Sequence, residues 1–260
     1  MISEPLKVTL LGTGTSTGVP VPGCDCTVCL SSDPLNSRTR CSLLIGYRGK
    51  NILIDTATDL RQQVLREGVN RIDAVLYTHT HADHIHGIDD LRPFNHHDGV
   101  PLPLYASADA AKAIRQNFRY IFSPESGSLY RPRLAVWTVA GPFSLFGLPV
   151  TPLRLEHGAG QSTGYRIGPI AYLTDCSSIP AETHSELENL DLLIIDALRF
   201  RPHSAHLNIA GAIVEAERIG AKQTLLTHLS HDVDHDRHSI GLPVGIGFAF
   251  DGQTLQIATG

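Results

Sequence analysis

The stretch Ala74–Gly87 reads AVLYTHTHADHIHG. Its first residues, Ala74 to Tyr77, have the β-branched and aromatic character of a buried strand. His79, His81, Asp83 and His84 follow at once, then His86 and Gly87. Four good metal donors thus stand within six residues, just past a strand end. Imidazole and carboxylate are the ligands that borderline and hard divalent ions accept. His79 and His81 are two apart, so in extended chain they point the same way. Asp83 and His84 are adjacent and cannot share that direction without a turn. The simplest geometry gives the first pair to one ion and the second pair to a neighbouring ion. A polar loop with surface histidines would explain the polarity but not the spacing. The helical zinc-protease pattern, His-Glu-two residues-His, is absent.

Outside this stretch, 260 residues with 42% hydrophobic content suit one domain spanning 1–260. The net charge of −5 argues against a dedicated nucleic-acid binder. No apolar run reaches the length of a membrane span, and the start, MISEPLKVTLLGTG, does not read as a signal peptide. The expectation is a cytoplasmic chain with no membrane partner. Its five cysteines are then expected as thiols or metal ligands rather than disulfides.

Upstream, Lys7 to Leu11 reads as a strand running into Gly12-Thr13-Gly14-Thr15-Ser16-Thr17-Gly18. A dinucleotide turn needs its third glycine one place earlier and then a helix, which Val19-Pro20-Val21-Pro22 cannot begin comfortably. The loop is either a plain turn or one whose backbone approaches a metal site or a phosphate. Next comes Cys24-Asp25-Cys26-Thr27-Val28-Cys29. A disulfide between Cys24 and Cys26 would be strained, whereas thiolates gathered on one Zn²⁺ are not. Only three ligands are local; spacing leaves Cys41, His231, His235 and His238 as candidates for the fourth. Cys41 to Tyr47 and Asn51 to Asp55 read as a hairpin. Asp55, ending a strand, either caps a helix or holds a ligand histidine in one tautomer. Leu60, Val64 and Leu65 recur at helical spacing, with Gly68 as the stop.

Downstream, Asp89 and Asp90 suit the first turn of a short helix, and His96 and His97 read as loop histidines. Pro101 to Ala106 is a strand and Ala108 to Phe118 a helix. The basic, aromatic run Arg115 to Arg133 is either a lid that meets phosphate or a solvated connection. Pro149 to Leu155 delivers Glu156-His157. A hairpin, Thr163 to Ile167 with Ile170 to Thr174, delivers Asp175. Leu192 to Ile195 ends at Asp196. Asn208 caps a helix closed by Gly220. Gln223 to Leu226 delivers Thr227-His228. Ile246 to Phe250 and Thr254 to Ile257 read as a last hairpin over Asp251-Gly252. His79, His157, Asp175 and His228 therefore each follow a strand end, the arrangement of a preorganised site at one sheet edge. Strand-rich halves with interspersed helices suggest two sheets packed face to face under outer helices.

These residues make the chain similar to the metallo-β-lactamase superfamily of hydrolases. The resemblance rests on the loop His79-x-His81-x-Asp83-His84, on His157, Asp175 and His228, and on Asp55. It implies an α/β fold of the α+β kind, a four-layer αββα sandwich with a dinuclear metal site. By the family's arrangement His79, His81 and His157 hold one ion, Asp83, His84 and His228 the other, and Asp175 bridges them. A narrower resemblance is to the phosphodiesterases that open phosphoribosyl cyclic phosphate in bacterial phosphonate breakdown. It is carried by the GTGTS loop, Cys24-x-Cys26-x-x-Cys29 and His228-Leu229-Ser230-His231. That group implies a structural zinc on Cys24, Cys26, Cys29 and His231. It also implies a histidine near the leaving group, which His206 fits, with His203 the fallback. A relative in pyrroloquinoline quinone biosynthesis shares the cysteine cluster but has an altered metal loop.

Two divalent ions at such a site lower the pKa of a bound water and neutralise phosphoryl charge. The expected activity is metal-dependent hydrolysis of a small cyclic phosphodiester, 5-phosphoribosyl 1,2-cyclic phosphate being preferred, by hydroxide bridging the ions, with Asp83 and His206 at the reaction centre. The catalytic ions are Zn²⁺, Mn²⁺ or Fe²⁺, since histidine with carboxylates accepts all three. Ribonuclease Z-like processing of transfer-RNA 3′ ends is the rival enzyme, disfavoured by net charge and the lack of a long Gly/Lys-rich arm. A non-catalytic metal scaffold is the rival of another class, disfavoured by the complete ligand set. Oligomeric state stays open, a homodimer being one expectation.

Overall fold

A computed structural model describes residues 4–95, 99–123 and 131–259 of the chain. The first sheet contains β1 (Leu6–Gly12), β2 (Ser42–Tyr47), β3 (Lys50–Ile54), β4 (Ala74–Leu76), β5 (Leu102–Ala106) and β6 (Leu134–Thr138) in chain order. The second contains β7 (Phe143–Leu145), β8 (Leu148–His157), β9 (Gly160–Ile167), β10 (Ile170–Leu173), β11 (Leu192–Asp196), β12 (Gln223–Thr227) and β13 (Ile246–Phe248). The last strand, β14 (Thr254–Ile257), returns to the first sheet beside β1. Helices are α1 (Leu60–Arg66), α2 (Ala82–Ile85), α3 (Ala108–Asn117), α4 (Arg119–Phe122), α5 (Ala181–His184), α6 (Ile209–Ile219) and α7 (His235–Ser239).

Alternation along the strands creates a shared interior in which Val8, Ile45, Ile54, Tyr165 and Ile194 are buried between the sheets. The opposite faces carry their own apolar layers. One is closed by Leu60 and Val64 of α1 with Ala111 and Ile114 of α3. The other is closed by Ile209, Ala212 and Ala216 of α6. Each buried Leu, Ile or Val among them contributes roughly 1.5–3 kcal/mol on burial. The result is the αββα sandwich of the metallo-β-lactamase fold. Helix α6 begins where the Asn208 side chain accepts the Gly211 N–H at 2.9 Å and ends at Gly220, whose φ of 68° is left-handed.

The two halves repeat one topology. β1, β2 and β3 run antiparallel and β3 to β6 parallel; β8, β9 and β10 run antiparallel and β10 to β13 parallel. Ser42 Oγ donates to the Asp55 carbonyl at 2.9 Å, and Ser162 Oγ donates to the Asp175 carbonyl at 2.8 Å. Corresponding strands thus present Asp55 and Asp175 in matching ways.

One expectation needs correction. Ile246 to Phe250 and Thr254 to Ile257 do not form a hairpin: β13 lies parallel to β12, and β14 lies antiparallel to β1 in the other sheet. Asp251-Gly252 does form the expected turn, with Gln253 N–H donating to the Phe250 carbonyl at 3.1 Å, and the Asp251 side chain is also an anchor, accepting the Thr13 N–H and hydroxyl and the Thr39 N–H and hydroxyl at 2.5–2.9 Å. Leu65 is 63% exposed, so α1 buries Leu60, Gln63 and Val64 only. In the Arg115 to Arg133 run, Arg115 donates to the Val136 carbonyl and Arg131 to those of Tyr120 and Ser123. These two arginines hold chain together, while 124–130, like His96 and His97, lie outside the described residues.

The glycine-rich loop braces the far end of β12. Leu229 N–H donates to the Thr13 carbonyl at 2.9 Å and Thr15 N–H to the Leu229 carbonyl at 3.2 Å. A Cβ on Gly14 would stand 2.8 Å from the Arg38 carbonyl, so only glycine lets these backbones meet.

Candidate metal centre

Strand ends bring the donors together. Asp55, Asp175 and His228 directly follow β3, the β10 segment and β12, with φ of 62°, 55° and 61°. Left-handed backbone is strained for such residues and persists where the surroundings over-determine it. It turns each side chain off its strand toward one point. His79 and His81 leave the extended chain after β4, and the single turn of α2 presents Asp83 and His84. His157 ends β8.

The Asp175 carboxylate lies between two groups. Its Oδ2 is 3.7 Å from His79 Nε2 and 3.9 Å from His157 Nε2, and His157 Nε2 is 3.4 Å from His81 Nδ1. Its Oδ1 is 3.2 Å from His84 Nε2, and Oδ2 is 3.3 Å from His228 Nε2. Asp83 Oδ2 stands 3.3 Å from His84 Nε2 and 3.9 Å from His228 Nε2. The donor atoms of His79, His81, His157 and Asp175 all lie within 4.8 Å of one another, as do those of Asp83, His84 and His228. His81 is the exposed member and marks the mouth.

The residues present fit two cations. His79 Nε2, Asp83 Oδ2, His84 Nε2 and His228 Nε2 are buried without a hydrogen-bond partner, which is costly unless a ligand satisfies them. The opposite ring nitrogens of His84 and His157 are fixed from behind. His84 Nδ1 donates to Asp55 Oδ2 at 2.7 Å, and Asp55 also accepts the Thr78 N–H and hydroxyl at 2.7–2.8 Å. Asp55 is therefore the orienting carboxylate rather than a helix cap. His157 Nδ1 donates to the Ala205 carbonyl at 2.7 Å, which leaves Nε2 as the free acceptor. Electrostatics agree. Burial disfavours charge on His84, but Asp175 and Asp55 outweigh it and hold the imidazole well above its ordinary pKa. His228 is likewise raised, to about 8: burial opposes, and Asp175 and Asp83 prevail. The Asp83, His84 and His228 group thus attracts positive charge, whereas burial first of all depresses the pKa of His79 and His157; a metal would displace the protons on His84 and His228.

A second cluster gathers Cys24, Cys26 and Cys29, whose sulfurs lie 3.3, 3.5 and 3.5 Å from His231 Nδ1. Of the four candidates for the fourth donor, the chain places His231 there. Cys41 is buried elsewhere, 3.5 Å from the Thr227 hydroxyl, and His238 Nδ1 accepts the Asp234 N–H. The Cys29 N–H directed at its sulfur lowers Cys26 to about 7, whereas burial raises Cys29 to about 11. Three sulfurs and an imidazole make a zinc-type donor set.

His206 adjoins the first cluster. Its ring stacks on His228 with centroids 4.7 Å apart and lies 4.9 Å from His157. Its Nδ1 is 3.0 Å from Asp196 Oδ2, which also accepts the N–H groups of Cys176 and Leu207 at 3.2 Å. Asp196 Oδ1 is 3.8 Å from His228 Nδ1. Asp196 was not singled out from sequence, although it ends a strand just as Asp55 and Asp175 follow theirs; that shared position was the available signal. His203 lies farther out, its centroid 5.1 Å from His206. His86 packs its ring on Phe118 at 5.9 Å and stays outside both groups. On the His79 side the mouth meets a cleft of about 810 Å³ between the start of α3 and the β8–β9 hairpin.

The family described as "Beta-lactamase superfamily domain" matches residues 50–229. The crystal structure of a new diphosphatase from the PhnP family superposes with a TM-score of 0.92 at 43% identity, covering 98% of each chain. An octanoyltransferase of Porphyromonas gingivalis is 43% identical over 254 residues, 95% of this chain but 51% of that protein, so the chain spans about half of that relative. A ribonuclease Z of Clostridium acetobutylicum is 40% identical over 65 residues only, 24% of this chain and 21% of that protein. With the sandwich and the family match agreeing, and with donor clusters that could hold metal, the chain belongs to the β-lactamase superfamily.

Proposed function

We propose that the chain is a dinuclear phosphodiesterase opening a small cyclic phosphodiester, 5-phosphoribosyl 1,2-cyclic phosphate being the preferred substrate. The observation that carries this reading is Asp175, whose two carboxylate oxygens face the histidines of both groups at 3.2–3.9 Å. His79, His81 and His157 would hold one ion, Asp83, His84 and His228 the second, and Asp175 both. Cys24, Cys26, Cys29 and His231 would hold a structural zinc. Zn²⁺, Mn²⁺ and Fe²⁺ all suit the catalytic set. Such ions supply an activated water and neutralise charge on phosphoryl oxygens.

The chain's own residues do the rest. Asp55 and the Ala205 carbonyl fix two ligand rings before substrate arrives. Asp196 holds His206 by Nδ1, so Nε2 faces the reaction, and the imidazolium form, protonated on both nitrogens, would pass its Nε2 proton to the departing sugar oxygen. General acid help of this kind is worth roughly 10²–10⁴-fold.

Support for phosphorus chemistry comes from the diphosphatase neighbour, similar along its full length. That name also favours a second reading, cleavage of a phosphoanhydride in a small diphosphate. The octanoyltransferase name belongs to a protein about twice as long. The ribonuclease Z likeness is confined to a short stretch. The partner is accordingly a small molecule rather than RNA. Metal-loaded protein should hydrolyse bis(p-nitrophenyl) phosphate and the cyclic ester, and turn over precursor transfer RNA poorly at any salt. Hydrolysis that survives complete metal removal would refute the proposal.

A further inference from the structure

Two directions lead away from the candidate metal centre, and their charges differ. On the His79 side lies the large cleft. Its charged lining residues are Asp109, Arg154 and Glu156. Arg154 is committed to Glu156 at 2.6 Å and faces Glu182 at 3.6 Å. Small residues such as Ala108, Val139 and Ala159 complete the wall. Among the described residues, that side has no cation to spare for a phosphate.

On the His206 side the loop from Arg199 to His206 forms the rim. Its ends are fixed: Ile209 N–H donates to the Arg199 carbonyl at 2.9 Å, Asn208 Nδ2 to the Phe200 carbonyl at 3.1 Å, and His157 to the Ala205 carbonyl. Within it, Arg199 Nη2 donates to the Pro202 carbonyl at 3.3 Å, and Arg199 Nε is buried without a partner. His203 is exposed, and its Nδ1 accepts the Ala205 N–H at 3.2 Å, which puts the proton of the neutral ring on Nε2. Burial, then His206 and Arg199, depress the His203 pKa, as expected where positive charge already accumulates. Arg201 is turned away toward Asp232 at 3.4 Å.

We infer that Arg199 and His203 form a subsite for a second phosphate, carried on the leaving-group half of the substrate. This rests on the phosphodiesterase reading and assigns the residues that would hold the 5-phosphate of its preferred substrate. His206 stands between the two positions, so a substrate anchored by the second phosphate presents its departing oxygen to His206. Guanidinium and imidazole N–H groups suit a phosphate dianion, and the opposite cleft would repel one.

The test uses metal-loaded protein hydrolysing bis(p-nitrophenyl) phosphate, inhibited by ribose 1,5-bisphosphate or by ribose 1-phosphate. Wild type should bind the bisphosphate at least about tenfold more tightly than the monophosphate. His203→Ala and Arg199→Gln should each pull that ratio toward one. Arg199→Lys, which keeps the charge, should retain most of it and so guards against a merely deformed loop. A ratio near one in wild type, or a ratio untouched by both variants, overturns the subsite. So does a ratio lost in Arg154→Ala instead, because the phosphate would then lie in the cleft. If wild type hydrolyses no phosphodiester, the functional reading fails, and calorimetric titration of the two ribose phosphates still decides the subsite by the same ratio.

Discussion

Asp55, Asp175 and His228 hold left-handed backbone that their residue types avoid, and each then does one job in the cluster. Asp175 serves both groups, so Asp175→Ala should strip both catalytic ions and lower kcat/KM by at least ~10³-fold, measured by metal analysis beside a phosphodiester assay. On the proposed reading, His206 serves only the leaving group. His206→Ala should cost roughly 10²–10⁴-fold on an alkyl diester, and much less on bis(p-nitrophenyl) phosphate, whose nitrophenolate leaves without a proton. Equal losses on both substrates would argue for a ligand role. The donors were legible in sequence because four are consecutive or nearly so and the others sit at strand ends. Asp196 was not, because its role depends on His206 returning beside it from ten residues on, a contact that no local pattern records. The Asx-type cap considered for Asp55 failed for a similar reason: its partners Thr78 and His84 arrive from the next strand and helix.

Elements matter chiefly through what they brace. The segment after β12 carries His228 into the catalytic cluster and His231 into the cysteine cluster, and the glycine-rich loop pairs with Leu229 between them. Gly14→Ala should therefore destabilise the fold by about 1–3 kcal/mol through overpacking against the Arg38 backbone, and lower metal occupancy as well. Cys26→Ser should reduce both thermal stability and phosphodiesterase activity, although it touches neither catalytic group. A variant that loses zinc yet keeps full activity would contradict the coupling. The β2–β3 hairpin has its own electrostatic staple. Asp73 accepts the Asn51 N–H at 2.9 Å, Arg71 Nε at 2.7 Å and Lys50 Nζ at 3.1 Å. Burial works against its charge, but Arg71, the Asn51 N–H and Lys50 outweigh that and hold the carboxyl below the usual range. The stabilisation is present above the unfolded carboxylate pKa of about 4 and is lost as pH falls through the lower folded value. Denaturant midpoints should show Asp73→Asn weakened by about 2 kcal/mol at neutral pH, with the gap to wild type closing below about pH 4. Turn chemistry misled only in the pairing inferred across Asp251-Gly252: the pair makes its turn, but the strands on either side lie in different sheets, and the aspartate side chain anchors Thr13 and Thr39.

At the scale of the molecule, two copies of one topology pack face to face and set their ligand-bearing strand ends on a common edge. Periodicity made the layers legible, since alternating strands and amphipathic helices must bury their apolar faces against one another in layers. The repeat itself was invisible in sequence. It survives in strand order and in the Ser42–Asp55 and Ser162–Asp175 pairs, which lie among residues otherwise unlike. Among the described residues no helix is long and apolar enough to cross a membrane. The central claim is that this edge holds two hydrolytic ions and a nearby zinc. Metal content of the purified chain, followed during stepwise chelation alongside phosphodiester turnover, tests it most directly. The account requires about three equivalents per chain, two leaving together with activity and one resisting mild chelator. One equivalent or fewer, or turnover that persists after all metal has gone, would contradict it.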